Sequence, residues 1–441
     1  MRSCHRLIVL VALLLPSASA FAQSRQVPAP EQQSPVILYN ASIHPVTTAS
    51  IDNGYIAFDN GRITGMGSGR PASVAPGTTE IDLEGMHVYP GLIAAQTRLG
   101  LVETSAVDVT NDHNELGDVT PEVRAAVAIN PDTDLIPVAR ANGILVAMTL
   151  PTGGTVIGRS AIIRMDGWTW EDMCIAAEAG LVMNWPSVQP RTARWITKSA
   201  DEQRKDIAKN LDRIDKLFDV AEAYVAAHEH DPSMKTDLRF EAMRPILAGE
   251  QPLFVWAATA AQIESAISWS IKRGYQIVIV GGYGADEAIA SLKTHDVPVI
   301  INGTHRLPAR RDDAYDRPFT LPSVLEEAGI RYCIAPGSGA GSERNLNHHA
   351  ATAVQYGLSR EDAIKAITID AATVLGIDEM YGSLAAGKSA TLIVTDGDPL
   401  EMTMQVKHAF IDGRKIDLSS RQTEMYEKYR EKYRQRGLID N

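Results

Sequence analysis

The chain has 441 residues, 45% hydrophobic and 22% charged, the balance of a globular protein with one large domain and a smaller companion. A formal charge of −12 argues against nucleic acid and anionic membranes as partners. Of three cysteines, Cys174 and Cys333 lie in the body of the chain; they could pair in an oxidising compartment, but two are too few for a disulfide framework and both read as buried thiols.

Residues 1–22 have the pattern of a secretory signal peptide. Arg2 and Arg6 form a positive stretch, Leu7 to Leu15 an apolar run, and Ala20-Phe21-Ala22 a small-x-small cleavage site. The apolar run is far short of the roughly 20 residues that span a bilayer. Export to a bacterial periplasm is therefore expected, with no membrane span in the mature chain. Cleavage leaves 40 basic against 54 acidic residues, a charge of −14.

From 23 to 89 the pattern is short, alternating and turn-rich. Asp52-Asn53-Gly54 and Asp59-Asn60-Gly61 are expected to be hairpin turns flanking Tyr55 to Phe58. Between 90 and 380 strands alternate with helices. A helix ending at Asn142-Gly143 precedes the strand ILVAMTL (144–150), and PLFVWA (252–257) precedes a helix with Ile263, Ile267 and Ile271 on one face, ending at Gly274. QIVIV (276–280), Val297 to Ile301 and Tyr332 to Ala335 follow as strands, with helices through Leu292 and Leu325 between them. This alternation predicts right-handed βαβ units, and the span supplies the about 250 residues of a (β/α)8 barrel.

Short strands return between 381 and 420, at Thr391 to Val394 and Ala409 to Ile411. The expected fold class is α/β: a TIM-like (β/α)8 barrel inserted in a small β-sandwich formed by both chain ends. Residues 421–441 carry alternating charge with Tyr426, Tyr429 and Tyr433, and read as a surface helix that docks its tyrosines.

Three stretches resemble the amidohydrolase superfamily, in its imidazolonepropionase-like exported branch: NGRITGMG (60–67), YPGLI (89–93) and GSLAAGKSATLIVTDGDPL (382–400). GGTVIGRSAIIRMDGWTWEDM (153–173) is similar to the same branch. The resemblance implies a hydrolase of non-peptide C–N bonds that uses zinc or another divalent metal to lower the pKa of water and polarise a carbonyl. It also implies ligands at the strand ends: His-x-His after the first strand, one His after each of two middle strands, and Asp after the last.

At those positions this chain differs. Ala94 stands where Asp usually precedes the motif, and Gln96 and Arg98 fill the His-x-His positions. Trp256 stands for a middle-strand histidine, Gly281-Gly282 follow the next strand without an imidazole, and Ser338 matches the final Asp. Glutamine is a weak neutral ligand, the indole offers no free lone pair, and arginine has no acceptor. A catalytic zinc needs at least three Cys, His or carboxylate ligands. The expectation is no metal and no other cofactor.

Gln96, Arg98, Trp256, Ser338 and Arg310 are then candidates to bind a small polar or amide-type ligand, with Arg98 receiving a carboxylate and Trp256 offering a stacking face. The chain reads as a catalytically degenerate member that binds a ligand, forms a homo-oligomer or pairs with an active relative. The alternative is a working hydrolase with relocated chemistry. Its candidates are His305 with Asp312 or Asp313 in INGTHRLPARRDD (301–313), or the acidic loop around His113 with Asp108, Asp112, Glu115 and Asp118. Gly337, Gly339 and Gly341 could cradle an anion, but the dinucleotide fingerprint is incomplete at Ser342.

Overall fold

A computed structural model describes residues 26–440 apart from 193, 338 and 340. The leader read at 1–22 lies outside the described residues. β1 (Val36–Ile43) runs antiparallel to β2 (Ile51–Asp59), which turns through Asn60-Gly61 into β3 (Arg62–Ser68). Both turn residues have positive φ, 47° and 77°, the geometry for which Asn-Gly is suited. The other expected turn does not form. Asp52-Asn53-Gly54 lies inside β2, where Asn53 at φ 45° makes a bulge and the pairing passes from Ala41↔Gly54 to Ile43↔Ile51. Glycine is needed there for closeness, since a Cβ on Gly54 would lie 2.9 Å from Ile51. β4 (Thr79–Asp82) and β5 (His87–Pro90) take successive stretches of β1 as parallel partners, with the change at Asn40 (φ 56°).

β5 leads through Gly91 into the barrel. In chain order its elements are β6 (Leu92–Thr97), α1 (Leu135–Ala141), β7 (Ile144–Thr149), β8 (Val156–Arg164), α2 (Trp170–Met173) and β9 (Cys174–Asn184). Then come α3 (Ala200–His230), α4 (Leu238–Leu247), β10 (Leu253–Ala257), α5 (Ala260–Arg273), β11 (Ile277–Gly281) and α6 (Ile289–Thr294). The barrel ends with β12 (Val299–Asn302), α7 (Arg317–Ala328), β13 (Tyr332–Ala335), α8 (Leu346–Gln355), α9 (Arg360–Lys365) and α10 (Ile369–Val374). Gly274 and Gly329 stop α5 and α7 at φ 77° and 69°, as their positions in the sequence imply.

The eight strands stand in sequence order from β6 to β13. Neighbours are parallel except at β8, which is antiparallel to both β7 and β9. The chain between β7 and β8 is Leu150 to Thr155, too short for a crossover helix, so β8 has to return antiparallel. Alternate residues, among them Ile93, Val146, Phe254, Val280, Ile300 and Cys333, meet in one buried cluster that α10 closes with Ala371, Ala372 and Val374. The sheet ends β6 and β13 meet through the chain between α9 and α10: the Ile93 amide donates to the Ile367 carbonyl at 2.9 Å, and the Ile334 amide to Ala366 at 3.0 Å.

β14 (Leu392–Thr395), β15 (Val406–Ile411) and β16 (Arg414–Lys415) complete the second sheet, in the order β16-β15-β14-β5-β1-β2-β3 with β4 on β1. Both chain ends therefore share one core, where Phe58 meets Phe410 edge-on at 5.1 Å. α11 (Arg421–Gln435) does not dock its tyrosines. None of its residues is buried, and Lys432 lies over the Tyr429 and Tyr433 rings. Met425, Tyr426, Tyr429 and Tyr433 share one helix face, yet all four remain exposed. Cys174 and Cys333 are free, Cys333 buried and Cys174 half-buried. No helix among the described residues is long and apolar enough to cross a membrane.

Candidate functional site

The C-terminal ends of the barrel strands carry the loops, which is where barrel enzymes place their chemistry. β6 delivers Gln96, Thr97 and Arg98. Gln96 is 3% exposed, and its amide oxygen has no hydrogen-bond partner among the described residues. Arg98 is close enough to His113 and to Glu343 to act on both electrostatically. On β10, Trp256 is half-buried against the barrel interior. Gly281, the last residue of β11, has φ 98°, and a Cβ built on it would lie 3.6 Å from Trp256 Cε3. The indole thus abuts a strand end that bears no side chain. Ser338 lies outside the described residues.

These residues do not fit a catalytic divalent metal. Gln96 supplies one neutral oxygen, Arg98 a fixed cation, Trp256 an indole and Gly281 nothing. Among the described residues no three His, Cys, Asp or Glu side chains are placed to hold an ion together.

The structure adds a residue that the sequence reading missed. Glu343 opens a short helical turn after β13 and is 2% exposed. Its Oε1 accepts from the Thr97 hydroxyl at 2.7 Å, while Oε2 is buried without a partner among the described residues. Burial pushes the carboxyl up to about 7, against the opposing pull of the Thr97 hydroxyl and Arg98. A carboxyl poised near neutrality can give or take a proton. The available signal was one acidic residue closing the small-residue run GSGAGS, five positions past the expected Asp.

The loop after β12 resolves differently from its sequence pattern. His305 directs Nε2 to the Thr352 hydroxyl at 2.7 Å and lies against His349, ring centroids 4.1 Å apart. His349 Nδ1 accepts from the Thr304 and His305 amides at 3.0 and 3.2 Å. Burial, and then His305, press His349 down to about 4, so it is a neutral imidazole pinning α8 to this loop. Asp313 accepts from the Arg310 amide at 2.9 Å and from Arg317 Nη1 at 2.7 Å. Asp312 is 79% exposed, 3.6 Å from Arg310 Nε. The two aspartates face arginines and the histidine faces a threonine, so the three are not brought into one catalytic contact. In the acidic loop, Asp118 receives the Thr155 amide and hydroxyl at 3.0 and 2.9 Å, and His113 Nδ1 is buried without a partner among the described residues.

Comparison with known proteins agrees with this architecture. The model of the amidohydrolase family matches residues 319–416. The amidohydrolase tasK of Hapsidospora irregularis is 23% identical over 401 residues, 82% of this chain and 39% of that protein. The imidazolonepropionase of Flavobacterium johnsoniae is 34% identical over 96 residues, 21% of this chain and 23% of that protein. The chain therefore spans well under two thirds of either curated relative. Among solved structures, an amidohydrolase from Thermotoga maritima superposes with a TM-score of 0.75 at 24% identity, covering 87% of this chain and 99% of that one.

Proposed function

Because the chain belongs to the amidohydrolase superfamily, we propose that its barrel mouth is a metal-free site for a small polar or amide-type ligand. One observation carries this reading: the strand ends that would hold an ion bear Gln96, Arg98, Trp256 and the bare Gly281. Arg98 would receive a carboxylate and Trp256 would stack on a planar group. Elemental analysis of chain purified without chelator tests it. Substoichiometric zinc, manganese and iron are expected; a stoichiometric ion whose removal abolishes turnover or ligand binding would overturn the proposal. The proposal includes export through the 1–22 leader and pairing with itself or an active relative, to be checked by cell fractionation and size-exclusion chromatography.

Glu343 supports a second reading, hydrolysis without a metal. A buried carboxyl bonded to Thr97 beside Arg98 has the environment of a proton-transfer group. Turnover of cyclic amides, N-acyl amino acids or dipeptides, with a pH limb near 7 that vanishes in Glu343→Gln, is the expected signature. Turnover unaffected by that substitution would remove Glu343 from the chemistry.

A further inference from the structure

Beside the barrel mouth, the loops after β10, β11 and β12 and the start of α7 line an open cleft. Ala258, Ala260, Pro308, Pro318 and Leu321 give it apolar walls. Its strand-end neighbours Gln96, Arg98 and Trp256 are not among the lining residues, so it is distinct from the site proposed above.

Arg306 projects into this cleft with its guanidinium carbon 3.2 Å from the centroid of the Tyr283 ring. Burial lowers its pKa against the pull of Tyr283 and Asp313, and among the described residues no acceptor hydrogen-bonds its guanidinium and no carboxylate lies within ion-pair distance of it. The other two cleft arginines are engaged. Arg317 binds Asp313 at 2.7 Å and Glu287 at 2.6 Å, and Arg310 lies 3.4 Å from Asp313 and 3.7 Å from Glu287. The carboxylates lining the cleft are thereby bonded to other arginines; Asp313 acts on Arg306 only through space, and the guanidinium rests on the Tyr283 ring face.

A half-buried cation is stable only with compensation, and a ring quadrupole supplies part of it. The Tyr283 hydroxyl donates to the Asn302 carbonyl at 3.3 Å and burial raises its pKa, so the platform stays neutral. Stacking occupies one face of the guanidinium and leaves its in-plane N–H donors free, the fork that matches a carboxylate. The 14-residue α5 begins at Ala260 in the same wall, and its positive end favours an anion there.

We propose that this cleft binds a small organic carboxylate with an apolar body, clamped by the Arg306 fork over the Tyr283 ring. Calorimetric titration of the whole purified chain tests it, with benzoate, benzamide and inorganic phosphate as separate ligands. With the barrel-mouth stacking face removed by Trp256→Ala, benzoate should bind one per chain, benzamide should not bind, and adding Arg306→Gln should weaken benzoate by at least about tenfold. Arg331→Gln, which alters an exposed side chain paired with Asp296 outside the cleft, should stay within about fivefold of the native affinity.

Trp256→Ala should leave benzoate binding intact, which separates this cleft from the barrel mouth. Should Arg306→Gln fail to fold, Arg306→Lys serves instead, since it keeps the charge and loses the fork; it too should bind benzoate more weakly. Benzamide binding as tightly as benzoate, phosphate binding in place of benzoate, native affinity in Arg306→Lys, loss of binding in Trp256→Ala, or no binding of any of the three would overturn the proposal.

Discussion

Glu343 sets burial against charge at a single carboxyl. Burial raises it from 4.5 to about 7, so the folded chain holds a proton that the unfolded chain has released in between. Its favourable contribution is complete below pH 4.5 and is lost as the pH rises through 7. Glu343→Gln should therefore be more stable than the native chain at pH 8, by on the order of 3 kcal/mol, and match it near pH 4. Urea unfolding at both pH values checks this, and a difference independent of pH would refute it. Trp256→His should gain no zinc in equilibrium dialysis, because one imidazole beside Gln96 and Arg98 falls short of three ligands. The places of Gln96, Arg98 and Trp256 at or beside strand ends were legible because each follows or closes a short apolar run. Glu343 was not, because its partner Thr97 is 246 residues away and only folding creates the burial that perturbs it.

Elements followed local chemistry wherever it was sufficient. Glycine stops ended α5 and α7, and the Asn60-Gly61 turn joined β2 to β3. Local chemistry failed at Asp52-Asn53-Gly54, where pairing of β2 with β1 continued through the expected turn, and at α11, whose tyrosines found no groove. Truncation after Ser420 should accordingly change unfolding free energy by less than about 1 kcal/mol, since the Arg421–Asp134 pair tying α11 down is exposed. Close strand packing is a stricter requirement. A Cβ on Gly180 in β9 would lie 2.5 Å from the Pro252 carbonyl and 2.7 Å from the Phe254 ring. Gly180→Ala should cost at least about 2 kcal/mol in a denaturant titration.

Across the molecule, one buried ion pair ties the barrel to the sheet made from the chain ends. Arg140 of α1 bonds Asp166, beyond β8, at 2.5 Å, and each is 4% exposed. Asp166 also accepts the Ala29 amide at 3.0 Å and lies 3.4 Å from Arg414 of β16. Removing one partner of a buried pair strands the other, so Asp166→Asn should destabilise by about 3–5 kcal/mol in equilibrium unfolding. A loss no larger than that of an exposed pair would show that water reaches the cluster.

Periodicity and turn chemistry were enough to identify an α/β barrel with a sheet shared by both chain ends, and to set Gln96, Arg98 and Trp256 at or beside the ends of their strands. Those features act within a turn or a strand, so neighbouring residues carry the information. The reversed β8, the burial of Glu343, the division of the loop after β12 between Thr352 and Arg317, and the stacking of Arg306 over Tyr283 each depend on segments apart in the chain. Their energies come from desolvation and packing, and these have no value until the barrel closes around them.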